Sequence, residues 1–174
     1  MGFGKSFLLS LVAFVGLNFV FLLLNAVIMG GFDNLMTTIQ NAPLMIIYYL
    51  FGSIGSVPSI NMEWAIVQPL FLSDTTLLIT GIGYILAPLI AAILAGKFAE
   101  SKLQGVAGWL LTVIISTVAV IVGVFLSPTV EGILTALYGW VGFEVILIFL
   151  VISCVVNIIF YGFFALLVSK TEYY

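Results

Sequence analysis

Any chemistry inside the long apolar runs of this 174-residue chain has to start from four polar side chains, Asn18, Asn25, Glu144 and Asn157. An amide in hydrocarbon is costly unless it finds a hydrogen-bond partner. Asn18 and Asn157 each fall near the middle of an apolar run, so the sequence predicts that the two amides meet. Such a contact contributes about 0.6–2 kcal/mol in a membrane. Asn25 follows Asn18 by seven residues, on nearly the same stripe of a helix, and would extend a polar site. Glu144 stands at the edge of the last run, where a helix amino end favours a negative charge. Deeper in a membrane an ionisable group would instead be a functional candidate. Structural glue and a polar site are both compatible with these four residues.

The absent residue types exclude several chemistries. The chain has no His and no Arg, and Cys154 is its only cysteine. Haem ligation, zinc sites built from His and Cys, and His-dependent triads each lose a required part. No carboxylates pair within the apolar runs, as intramembrane acid catalysis would need, and no His is present as a base. Asp33, Glu63 and Asp74 have no diagnostic metal-binding spacing. The expectation is therefore a chain that is not an enzyme, with no catalytic residues, metal or cofactor. Without Arg or a long basic run, and at a net charge of −3, no nucleic acid is expected as a partner.

These residues must be positioned by elements that suit the composition. With 64% hydrophobic and 6% charged residues, the chain cannot cover a water-facing exterior. In lipid the exterior must be apolar and every backbone group must bond internally. One all-α polytopic transmembrane domain over residues 1–174 is predicted, with the lipid bilayer as its surroundings. Four uncharged stretches are long enough to cross a hydrocarbon core of about 30 Å: Phe7–Met29, Thr75–Gly96, Val106–Ser127 and Val145–Val168. The first is too long for the apolar core of a signal peptide and is read as a retained helix.

Lys5, Lys97, Lys102 and Lys170 fall on one side of these four crossings. The positive-inside rule makes that side cytoplasmic, which places both termini in the cytoplasm of a cell-membrane protein. Asp33, Glu63, Asp74 and Glu131 fall on the other side, either merely tolerated there or forming a cation-attracting vestibule. Trp109, Tyr138, Trp140, Tyr173 and Tyr174 fall where amphipathic rings mark the two membrane interfaces.

The 33–74 segment is too long for a turn and too apolar for an ordinary loop. Its short apolar pieces, Pro43–Phe51 and Met62–Leu72, flank the string GSIGSVPSIN. The leading expectation is an outer-side pair of interfacial helices, with Tyr48, Tyr49 and Trp64 at headgroup depth. A re-entrant hairpin turning around Gly52–Asn61 is the second arrangement, and two further crossings, making six helices, the third. Pro43, Pro58, Pro69 and Glu63 argue against the third.

Small residues recur every fourth position at Gly83, Ala87, Ala91 and Ala95, and again at Ala119 and Gly123. Such stripes let membrane helices approach closely, and the two are expected to face each other, or else a helix of another chain. Pro88 interrupts the first stripe, should free the Tyr84 carbonyl and kink the helix. The functional expectation is a non-catalytic integral membrane subunit or partner-binding component of a larger membrane complex, associating with other subunits or with itself. The alternative is a small transporter or channel for an ion or solute, or its membrane-embedded substrate-binding subunit.

Overall fold

The computed structural model describes residues 2–139 and 141–170, so Trp140, Tyr173 and Tyr174 lie outside the described residues. The described chain is all helical: α1 (Gly2–Ile28), α2 (Phe32–Asn41), α3 (Met45–Phe51), α4 (Pro58–Met62), α5 (Leu78–Lys97), α6 (Lys102–Leu126), α7 (Pro128–Tyr138) and α8 (Phe143–Val168). Among them α1, α5, α6 and α8 are long and apolar enough to cross a membrane. They are the four predicted spans, shifted by a few residues at each end.

The ends follow local chemistry. Ser101 accepts a hydrogen bond from the Gln104 N–H, and the Gln104 side chain accepts one from the Glu100 N–H, so both side chains cap the start of α6. Helix α7 was not foreseen, although Pro128 in its first turn and Gly139 at φ 70° after its last are ordinary start and stop signals. Asp74 accepts from the Thr76 N–H at 2.9 Å ahead of α5. These Thr76 hydrogen bonds hold the Asp74 carboxyl below its usual value.

The long helices alternate in direction, which gathers like charges at the two ends of the bundle. The Ser6 hydroxyl donates to the Ala95 carbonyl at 2.6 Å, and a Cβ placed on Gly105 would meet Ser169. The start of α1, the end of α5, the start of α6 and the end of α8 therefore lie together. This end carries Lys5, Lys97, Lys102 and Lys170, all exposed, and one carboxylate, Glu100, between α5 and α6. Asp33, Asp74, Glu131 and Glu144 lie at the opposite, acidic end, where α1 and α6 finish and α5 and α8 begin.

Two aromatic-rich clusters divide the core by depth. In the lysine half, Phe14, Ala91, Ala95, Trp109 and Tyr161 pack together with Ile54. In the acidic half, Met45, Tyr48, Val120, Val130, Leu134 and Ile146 form the second cluster. Trp109 is thus a core residue and not an interfacial anchor. Its indole N–H donates to the Asn157 carbonyl at 3.2 Å, which satisfies the polar edge that would otherwise hold the ring at an interface.

The small-residue stripe of α5 packs on α1, which corrects the expectation that it faces the stripe of α6. A Cβ on Gly83 would lie 2.6 Å from Phe21 Cβ, and Ala87, Ala91 and Ala95 are fully buried. Gly123 of α6 faces Ile47 of α3, while Ala119 is only half-buried. The physical reason lies in what occupies the middle of the bundle. The 33–74 segment inserts between the acidic halves of the long helices and takes the α6 stripe as its floor.

Candidate functional site

The inserted segment is a bent helical pair, Met45–Gly55 and Pro58–Leu72, whose arms meet at 99°. Its break has a local cause. Ser56 and Val57 are extended, as a residue before proline prefers, and Pro58 then restarts the helix with no N–H to satisfy. Residues 52 to 56 are all buried, and Ile54 reaches the lysine-half core. The segment as a whole begins and ends at the acidic end, where α1 finishes and α5 starts. The segment therefore neither lies flat outside the bundle nor crosses it. Tyr48 and Trp64, expected at headgroup depth, are buried at 3% and 4% exposure.

Breaking a helix inside an apolar bundle leaves carbonyls that must find donors. Asn157, midway along α8, supplies them. Its amide nitrogen donates to the carbonyls of Ile54 at 3.2 Å, Ser56 at 2.8 Å and Ser153 at 2.8 Å. Asn18 donates instead to Phe14 of its own helix at 3.0 Å. The expected Asn18–Asn157 hydrogen bond does not form: the Asn157 nitrogen is taken up by the hairpin turn and its own helix, and the amide oxygens of both residues are without a partner among the described residues.

A second amide docks the return arm. Asn61 accepts from the Ser56 hydroxyl and donates to the Tyr84 carbonyl at 3.4 Å. This is the carbonyl that Pro88 frees, so the proline of α5 creates the acceptor and the hairpin supplies the donor. α5 runs on as a continuous helix through Pro88. Trp64 completes the dock by stacking on Tyr138, with ring centroids 5.6 Å apart, and by packing against Tyr84.

Beside the hairpin, in the acidic half, lies a cavity of about 190 Å³. Helix α1 contributes Asn18, Phe21 and Asn25 to its wall, and α3 contributes Tyr48 and Tyr49. Thr80 and Tyr84 of α5, with Ile133 and Leu137 of α7, close the other side. The Tyr84 hydroxyl donates to that of Tyr48 at 3.3 Å. The buried Oδ1 atoms of Asn18 and Asn25 have no hydrogen-bond partner among the described residues. For Asn18 the assignment of oxygen and nitrogen is fixed chemically, because the nitrogen must face the Phe14 carbonyl. A buried acceptor left without a donor is costly, and Asn157 Oδ1, Ser53 Oγ and Thr117 Oγ1 share this condition away from the cavity.

The sequence-predicted polar residues are thus sorted by the fold. Asn18 and Asn25 share the cavity, as their common stripe predicted. Asn157 belongs to the hairpin turn. Glu144 lies in the first turn of α8, exposed, where the amino end of the helix favours it. Sequence reasoning missed Tyr48 and Tyr84 as polar lining and Asn61 as the residue that docks the return arm. The pairing of Pro88 with an amide elsewhere in the chain was the signal for Asn61. Among the described residues no three His, Cys, Asp or Glu side chains gather as a metal site. No protein-family model, curated protein or solved structure matches the chain.

Proposed function

We propose that this chain is an integral membrane protein of the cell membrane, with both termini cytoplasmic, that binds a small solute as the binding component of a transport system. The observation that carries this reading is the cavity walled by α1, α3, α5 and α7, lined mainly by apolar and aromatic side chains with a few polar ones, Asn18, Asn25 and Thr80 among them. Ligand sites of this kind are apolar concavities with a few placed polar groups.

The bent segment supports the same reading. In this account it is a re-entrant hairpin entering from the acidic, outer face. Broken helices at membrane depth occur where protein covers the freed backbone or where a solute path runs. Here Asn157 covers freed carbonyls at the turn, and the cavity lies beside the arms. The lysine end is the cytoplasmic face by the positive-inside rule, so the cavity lies in the outer half of the bilayer.

The reading as a partner-binding subunit drew on small-residue faces, together with lipid-matched spans, short loops and no complete active-site set. The α5 stripe is covered within the chain, Gly123 of α6 faces α3, and bulky residues such as Val12, Phe125 and Phe163 are exposed on the outward surface. The stripes no longer argue for a foreign helix.

The test is a thermal-stability screen of the purified chain in mild detergent against chemically diverse small solutes. One chemical class should raise the melting temperature, and Thr80→Trp or Ile133→Trp, each filling the cavity, should abolish that response while retaining the helical circular dichroism. No stabilising solute, or an undiminished response in both filled variants, would refute the proposal.

A further inference from the structure

We infer that the ligand of this cavity is a small organic monocation with an ammonium head; the inference rests on the solute-binding reading and narrows it to one chemical class. Three independent features of the lining select this chemistry.

The first is the sign of the hydrogen-bonding groups. Asn18 is 3% exposed, its nitrogen is committed to the Phe14 carbonyl, and its buried oxygen has no partner among the described residues. Asn25, two turns further along the same wall, adds a second unpartnered amide oxygen. No Lys lies among the lining residues, and all four Lys residues sit at the far end of the bundle. An anion entering here would meet only amides and hydroxyls, with no cation to offset its charge.

The second feature is aromatic. Phe21, Tyr48, Tyr49 and Tyr84, from three different helices, all line the same space. Ring faces attract cations through their quadrupoles, and several rings around one head group form the cage suited to ammonium ions. A neutral solute of the same shape would gain the apolar contact but not this term.

The third feature is the field along the bundle. The cavity runs from Leu77, immediately before α5, to Asn18 at mid-depth, so it occupies the end of the molecule that carries Asp33, Asp74, Glu131 and Glu144. Carboxylates around such an end raise the local cation concentration, and the cavity itself holds no carboxylate that would demand a metal ion. The cation is recognised by rings rather than by a counter-charge.

The experiment is isothermal titration of the full chain in a neutral detergent with choline, its uncharged isostere in which a quaternary carbon replaces the nitrogen, and butyrate. Choline should bind about tenfold or more tighter than the isostere, and butyrate should not bind. Tyr49→Leu, on the half-buried rim, and Asn25→Leu should each weaken choline about three- to tenfold and leave the isostere nearly unchanged. Equal or tighter binding of the isostere, or binding of butyrate, overturns the monocation assignment and leaves solute binding standing. Choline binding that neither substitution weakens overturns the site. Failure of all three probes also overturns the assignment, while the solute-binding reading is decided separately by the broad screen and its filled variants.

Discussion

Asn157 is the residue whose loss the architecture tolerates least. Its amide nitrogen serves two carbonyls at the hairpin turn and one on its own helix, all buried. Replacement by Leu strands the turn carbonyls, so Asn157→Leu should lower stability in detergent by about 1–3 kcal/mol. Asn18→Leu should cost less, because its single donated bond stays within α1 and its carbonyl oxygen is already unpartnered. Since the two amides share no hydrogen bond, the double variant should show the sum of the single losses. A thermal-unfolding series on the three variants checks this, and a large coupling between them would contradict the geometry. At this scale the sequence was half legible. An amide in an apolar run announces that it needs a partner, but those of Asn157 are backbone atoms more than 100 residues away, on a turn whose depth no local pattern encodes. Trp109 misled for a related reason. Its position at a predicted span boundary suited an interface, and only the fold shows an acceptor for its indole within the core.

At the scale of elements, the dock between the hairpin and α5 makes a coupled prediction. Asn61→Leu removes the donor to the Tyr84 carbonyl and should destabilise by about 1–2 kcal/mol. In a Pro88→Ala background the helix regains the N–H that serves this carbonyl, so the same Asn61→Leu change should cost measurably less. Equal costs in the two backgrounds would show that Asn61 does not cap the carbonyl freed by Pro88. Glycines give a second contrast. A Cβ on Gly96 would run into the Ala165 carbonyl and Val168 of α8, so Gly96→Ala forces the helices apart, at about 1–3 kcal/mol. Gly16, inside α1, meets nothing within 4 Å, so Gly16→Ala should be neutral or stabilise by up to about 1 kcal/mol. Melting temperatures of the two variants should move in opposite directions or differ clearly in size. The four long helices could be read directly, since length and hydropathy suffice to specify them. The packing partners of the α5 stripe could not, because small residues say only that something comes close. Which helix does so was decided by the hairpin filling the middle.

The whole molecule is polarised along its axis. Lysines gather at one end and four carboxylates at the other, and the hairpin and cavity both open their structure toward the acidic end. The orientation argument needed only the lysines and the alternation of four crossings, both visible in the sequence. It could not see the hairpin, because a segment that returns to its starting side leaves every lysine where it was. The central claim is that residues 33–74 enter from the outer face, turn at Ile54–Ser56 in mid-bilayer and return. Single cysteines placed at Asn34, Ser56, Asp74 and Lys102 in a Cys154→Ser background, in sealed right-side-out vesicles, test it directly with a membrane-impermeant thiol reagent. The account predicts labelling at 34 and 74 from outside, labelling at 102 only after the vesicles are opened, and no labelling at 56 until the protein is denatured. Labelling at 56 together with 102 on opening the vesicles would show that the segment crosses the membrane, and rapid labelling at 56 from outside would show that it lies on the surface; either result contradicts the account.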